Sequence, residues 1–159
     1  MNDNHVLVAY ATRGGASAEA ALKIADVLRS RGFEVDVVNL RDKPSPDLFR
    51  YRHVVVGGGV RAQRVYREVV DFLKCHNFEG KNVALFILAL EAGNTKTYPK
   101  AIAKYIEALL KKCPHVKPVA AEAFGGRIRF LGFTVADTLD LGKVEAWAES
   151  LGEKLQGKP

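Results

Sequence analysis

The run Val83-Ala84-Leu85-Phe86-Ile87-Leu88-Ala89-Leu90 contains no polar residue, and it constrains the fold more than any other stretch. It is far shorter than the roughly 18 apolar residues a membrane helix requires. A strand with one face in water would alternate apolar and polar positions. An unbroken apolar strand therefore needs cover on both faces, as in a parallel sheet flanked by helices. Four further runs read as strands. His5–Ala11 is short and rich in β-formers, and Glu34–Leu40 alternates at first. Arg52–Val56 leads into Gly57-Gly58-Gly59, and Val116–Phe124 is weaker, with Pro118 suited to an edge position.

Helical patterns separate these runs. Ala18, Ala21, Leu22, Ala25 and Leu28 share one face, and Gly32 follows as a terminating glycine. Val65, Val69, Phe72 and Leu73 repeat at helical spacing. So do Ile102, Ile106, Leu109 and Leu110, after Thr97 as N-cap and Pro99 in the first turn. Val144, Trp147, Ala148, Leu151 and Leu155 form a last stripe, which assigns Trp147 to core packing. The connection Arg41–Tyr51, with Pro44 and Pro46, reads as a loop holding at most one helical turn. Alternating strands and helices imply parallel pairing through right-handed crossovers. The expected fold is an α/β three-layer sandwich, a single domain over residues 1–159, with five parallel strands in the order 2-1-3-4-5. A chain of 159 residues that is 48% hydrophobic can bury such a core.

Composition removes several function classes. The net charge is +6, yet the basic residues form no block and no aromatics interleave with them, so no nucleic-acid partner is expected. Neither the two cysteines nor the four histidines have metal-site spacing, so no metal is expected. The first residues run straight into a strand without a leader pattern, and no membrane segment is visible, so a cytoplasmic protein is expected. Cys75 and Cys113 fall near the ends of neighbouring helices. That placement leaves a disulfide open, against the ordinary expectation of reduced thiols in the cytoplasm.

In an open parallel sheet, ligands bind beyond the carboxyl ends of the strands, where strand order reverses. For the order 2-1-3-4-5 that point lies between the first and third strands. After the first comes Ala11-Thr12-Arg13-Gly14-Gly15-Ala16-Ser17, opening a helix. Two glycines, two hydroxyls and a helix N-terminus suit a terminal phosphate. This is neither Gly-x-Gly-x-x-Gly nor a P-loop, and no acidic phospho-acceptor ends the strand. After the third strand, Gly57-Gly58-Gly59-Val60-Arg61 lets the main chain approach a flat ring. After the fourth, Leu90-Glu91-Ala92-Gly93-Asn94 closes the rim, with Tyr98 preferred over Tyr66 as a stacking residue. Arg13, Arg61, Arg64, Lys96, Arg127 and Arg129 all follow strand ends, with Glu91 set against them, so a basic rim is expected. His53 begins a strand at the opposite end. There is no catalytic triad or acid–base pair.

These motifs resemble the flavodoxin superfamily, and most closely its branch of menaquinone-dependent protoporphyrinogen dehydrogenases. The phosphate loop of that branch is similar to Ala11–Ser17, and its third-strand exit to Val55-Val56-Gly57-Gly58-Gly59-Val60-Arg61. The resemblance implies FMN as cofactor, held by Thr12, Arg13, Gly14, Gly15, Ala16, Ser17, Gly57, Gly58, Gly59, Val60, Arg61, Leu90, Glu91, Ala92, Gly93, Asn94 and Tyr98. It implies electron transfer to a redox partner protein or a small anionic or aromatic substrate. Protoporphyrinogen oxidation and a flavin-free interaction module are the alternatives. The chain departs from the pattern at Ala11, Gly14, Gly59 and Ala62, and in the short segment Gly125–Asp140. These departures bear on quinone reduction rather than on FMN binding.

Overall fold

A computed structural model describes residues 2–42 and 46–157. Five strands run parallel: β1 (Asn2–Ala11), β2 (Glu34–Asn39), β3 (Tyr51–Arg61), β5 (Asn82–Leu88) and β6 (Ala120–Phe124). Their order across the sheet is β2-β1-β3-β5-β6, which is the expected order 2-1-3-4-5 with a short strand left off the path. That strand, β4 (Arg64–Val65), folds back antiparallel on the end of β3. Order reverses between β1 and β3, the switch point where a ligand crevice is expected.

The apolar run explains itself in the two cores. Val83, Leu85, Ile87 and Ala89 enter one, while Ala84, Phe86 and Leu88 enter the other. The first core lies under α2 (Arg67–Cys75) and a long helix built of α3 (Tyr98–Ala101), a π-helical turn (Ile102–Glu107) and α4 (Ala108–Lys112). The second lies under α1 (Ala16–Ser30) and α5 (Leu141–Leu155). Each fully buried Leu, Ile or Phe in these layers contributes roughly 1.5–3 kcal/mol of transfer free energy.

Several boundaries differ from expectation. β3 does not stop at Val56 but runs through the triple glycine, because neighbours occupy the space of the missing side chains. A Cβ on Gly57 would lie 2.3 Å from the Phe86 ring, and one on Gly58 2.7 Å from Val69 Cγ2. The next helix begins at Arg67, since Val65 pairs with Val60 across a tight turn at Ala62 and Gln63, both with positive φ. Residues 116–119 precede β6 rather than forming it, although the Val119 N–H already reaches the Val83 carbonyl at 2.8 Å. Thr97 precedes α3 but caps nothing with its side chain; its hydroxyl donates instead to the Glu91 carbonyl at 2.5 Å. The Arg41–Tyr51 connection holds one 3₁₀ turn, Leu48–Arg50, while Pro44 lies outside the described residues.

Gly125–Asp140 contains a hairpin that periodicity did not reveal, β7 (Arg127–Phe130) with β8 (Phe133–Asp137). Leu131 and Gly132, with φ of 51° and 82°, make its turn. The hairpin forms its own two-stranded sheet, and Ile128, Phe130, Phe133 and Val135 are exposed. The segment does alternate, Arg127-Ile128-Arg129-Phe130 and Phe133-Thr134-Val135 on either side of Leu131-Gly132, but its apolar positions face outward instead of into a core.

Candidate functional site

A cavity of about 450 Å³ opens at the carboxyl ends of β1, β3 and β5. Thr12, Gly14, Ala16 and Ser17 form one end of it. Gly15 begins α1 with φ at 89°, and no side chain caps the helix. The Gly15 N–H is spent on Thr12 Oγ1 at 2.9 Å, and the Glu19 N–H closes the first turn onto the Gly15 carbonyl at 3.1 Å. The intervening amides of Ala16, Ser17 and Ala18 are the helix's unsatisfied donors. Their partial positive charge, with the buried Ser17 hydroxyl beside them, forms an anion cradle.

The remaining walls are flatter and more apolar. Gly59, Val60, Ala62, Gln63 and Tyr66 come from the end of β3 and its turn, and Leu88 to Glu91 from the end of β5. Gly59 keeps its place because a Cβ there would lie 2.9 Å from the Tyr66 hydroxyl. Burial pushes the Tyr66 phenol up, against the opposing pull of Arg13, whose guanidinium lies 4.1 Å from the ring centre. Tyr105, carried on the π-helical turn, donates to Glu91 Oε1 at 2.9 Å. Burial and the Glu91 carboxylate push that phenol up to about 12. Gly126, Arg127 and Ile128 complete the cavity from the base of the hairpin.

Charge at this rim is less one-sided than the sequence implied. Arg13 grips both oxygens of Glu68 at 3.0 Å, and Arg127 is paired with Glu19 and, at 3.0 Å, with Asp137. Arg61 and Arg64 are exposed on the β3–β4 turn. Arg129 also approaches the cradle, its Cγ 4.0 Å from where a Gly14 Cβ would stand, beside the Arg127 carbonyl at 3.7 Å.

A second cavity, of about 470 Å³, adjoins the first across a thin wall. Ala92, Gly93, Tyr98, Glu122, Phe124, Gly125, Asp140, Lys143 and Trp147 line it. Thr138 fastens the wall, accepting from the Gly126 N–H at 3.1 Å and donating to the Leu90 carbonyl at 3.2 Å. The glycines are required there. A Cβ on Gly125 would come within 1.9 Å of the Thr138 carbonyl oxygen, and one on Gly93 within 2.4 Å of Thr138 Cβ.

The sequence-derived candidates thus separate into groups. Thr12, Gly14, Ala16, Ser17, Gly59, Val60, Leu90 and Glu91 line the first cavity. Arg13, Gly15 and Arg61 flank it. Gly57 and Gly58 lie within the sheet, packed against Phe86 and Val69. Ala92, Gly93 and Tyr98 face the second cavity, and the Asn94 side chain closes its own turn on the Lys96 N–H at 2.9 Å. The preference for Tyr98 over Tyr66 at the first cavity is therefore reversed, because the 3₁₀ turn Leu90–Gly93 sends the chain past the wall before Tyr98. Gln63, Tyr66, Tyr105, Gly126, Arg127 and Ile128 line the first cavity outside the expected set. The positive-φ turn, the π-helical turn and the hairpin bring them there. Trp147 packs edge-on to Phe124, ring centres 5.7 Å apart, and also lines the second cavity.

His53 is buried at the far end of the sheet, bonded to the Asp3 carbonyl at 2.8 Å. Cys75 and Cys113 are free thiols, the first exposed and the second buried. Among the described residues no cluster of His, Cys, Asp and Glu has metal-site geometry, and no helix is long and apolar enough to cross a membrane.

Comparison with known proteins agrees with this architecture. The model of the Flavodoxin domain family matches residues 7–150. Over 70 residues the chain is 30% identical to the protoporphyrinogen IX dehydrogenase [quinone] of Escherichia coli, a match covering 44% of this chain and 39% of that protein. The match therefore spans under half of either chain. Oxidised flavodoxin 2 of Bacillus cereus superposes with a TM-score of 0.67 at 19% identity, covering 94% of this chain and 99% of that one. Oxidised flavodoxin 1 of the same organism gives 0.64 at 17%, covering 96% and 97%. At these identities the likeness concerns the fold alone.

Proposed function

The chain belongs to the Flavodoxin domain family, and from that premise we propose that it holds FMN in the first cavity and transfers electrons through it. The observation that carries this reading is the uncapped N-terminus of α1, open to a cavity at the switch point of the sheet. The residues fit the group in three respects. The amides of Ala16, Ser17 and Ala18 suit a phosphate dianion, and Gly14 leaves room for it. The walls from β3 and β5 are mostly apolar, as a flat ring system requires. The volume falls in the range of roughly 300–1,000 Å³ typical of small-molecule and cofactor sites.

When bound, the flavin supplies one- and two-electron redox chemistry, and the protein supplies binding and electrostatics. Ser17 and the first turn of α1 anchor the phosphate end. Gly59 and Val60 offer main chain to the ring, and Tyr66 covers it from the β3–β4 side. Tyr105 holds Glu91 in place by donating to its carboxylate. Arg13 and Arg127, being paired, position their neighbours rather than adding net charge. Electron carriage needs no side chain that forms or breaks bonds.

Flavin analysis tests the reading. Purified protein is expected to show flavin absorbance and to release a compound with the mass of FMN, or to bind added FMN at one equivalent. A colourless protein that binds no added FMN leaves the flavin-free module standing. The partial match to a protoporphyrinogen dehydrogenase gives a second reading, oxidation of protoporphyrinogen with a quinone, tested by that assay on the flavin-loaded protein.

A further inference from the structure

The second cavity is walled differently from the first. The first turn of α5 is closed by Asp140, whose Oδ1 accepts from the amides of Gly142 at 2.9 Å and Lys143 at 3.3 Å. The walls are aromatic: Tyr98, Phe124 and Trp147. The charged residues lining it are Glu122, Asp140 and Lys143, so the cavity is net negative within a chain whose net charge is +6. Glu122 receives the Tyr98 hydroxyl and, at 2.9 Å, the Ala123 N–H. Among the described residues both of these bonds end on Oε1, which leaves Oε2 to the cavity. Lys143 is exposed at the mouth, where water screens it.

We propose that the second cavity is a binding site for a flat organic cation, its ring lying among Tyr98, Phe124 and Trp147 and its ammonium or amidinium group meeting Glu122. Three features favour that class over others. Aromatic faces attract a cation that has left water. A carboxylate with an open oxygen gives a charge-assisted hydrogen bond in a partly dry setting. An anion meets two carboxylates with only a peripheral lysine in compensation. Tyr98 keeps its proton well into alkaline solution, since burial and Glu122 push its phenol up to about 12. It therefore stays a donor to Glu122 Oε1 across the neutral range. The site does not depend on the flavin reading, because the wall fastened by Thr138 separates the two cavities.

Trp147 is the only tryptophan, so intrinsic fluorescence reports on this cavity directly. Three probes of one shape separate charge from ring: benzamidinium, neutral benzamide and benzoate. Titrated into the whole protein as purified, benzamidinium is expected to change Trp147 emission saturably and to bind at least about tenfold tighter than benzamide. Benzoate is expected to bind least. Glu122→Gln should bring benzamidinium down to the level of benzamide. Lys143→Gln, at an exposed position that carries no fold-holding contact, should tighten benzamidinium and serves as a second arm should the Glu122 variant fold poorly. Equal affinity for benzamidinium and benzamide overturns the proposal. So does a saturable response that neither substitution changes, and so does the absence of saturable binding by any probe.

Discussion

The two cavities at the top of the sheet have nearly the same volume, about 450 and 470 Å³, and share a wall, yet they are built from different materials. The first is made largely of main chain: helix-terminal amides, glycines and strand ends. The second is made of side chains, three aromatics, two carboxylates and one exposed lysine. Each contains a tyrosine donating to a glutamate, Tyr105 to Glu91 and Tyr98 to Glu122. Main-chain donors are fixed by the fold and recognise a shape of charge, such as a phosphate. Side-chain walls are set residue by residue and can be retuned without disturbing the sheet.

The largest expected effect falls on the wall between them. Gly125→Ala should destabilise the protein by about 1–3 kcal/mol or more, because the new methyl meets the Thr138 carbonyl and backbone must move. Denaturant unfolding measures this, and an unchanged midpoint would show that the wall yields. Next comes the phosphate end. Ser17→Glu sets a carboxylate against the cradle, and FMN affinity should fall at least about tenfold, or 1.4 kcal/mol. Riboflavin, lacking the phosphate, should lose much less, and equal losses would remove the phosphate from α1. A smaller effect is expected at the rim. Arg129→Glu should weaken FMN binding and make the potential of the bound flavin more negative, with Arg61→Glu changing both less, since Arg129 approaches the cradle at Gly14 while Arg61 only flanks the cavity. Potentiometry on both variants ranks them, and the reverse order would return the rim to the sequence-based picture.

The smallest effect compares the two tyrosines. Both phenols are raised to about 12 in the folded state, against a usual value of about 10 in the unfolded chain. The folded protein thus holds these protons more tightly. The stability they confer is intact below pH 10 and is lost as pH rises from 10 towards 12. Tyr105→Phe and Tyr98→Phe should each flatten that alkaline loss, as read from unfolding midpoints at pH 9 and pH 11. If only one does so, the pairs are not equivalent.

The sequence was most informative where burial is two-sided or periodic. Val83–Leu90 announced its strand because both cores demand apolar residues, and the stripes of α1 and α5 announced their helices. The loop that opens α1 was legible too, its glycines and hydroxyls marking a strand-to-helix turn that the structure sets at the first cavity. The triple glycine misled by its chemistry: flexibility pointed to a loop, whereas Phe86 and Val69 require the gaps within the strand. Tyr98 misled by its distance along the chain, because one 3₁₀ turn carried it into the neighbouring cavity. Tyr105 gave no signal, for its place depends on a π-helical turn whose sequence is ordinary helix. The hairpin gave only a short alternation around Leu131-Gly132, with no buried face behind it to mark it as part of the core.

That hairpin gives the first cavity walls of unequal permanence. Ser17, Gly59 and Leu88 stand on elements tied into a five-stranded ladder, whose amides exchange with solvent only through large openings. Gly126, Arg127 and Ile128 stand at the base of a separate two-stranded ladder, and a lone hairpin is marginal by itself. Its amides belong to the fast end of the exchange spectrum. A bound occupant, by holding Arg127 and Ile128 in place, would transfer those amides from the fast class to the slow one.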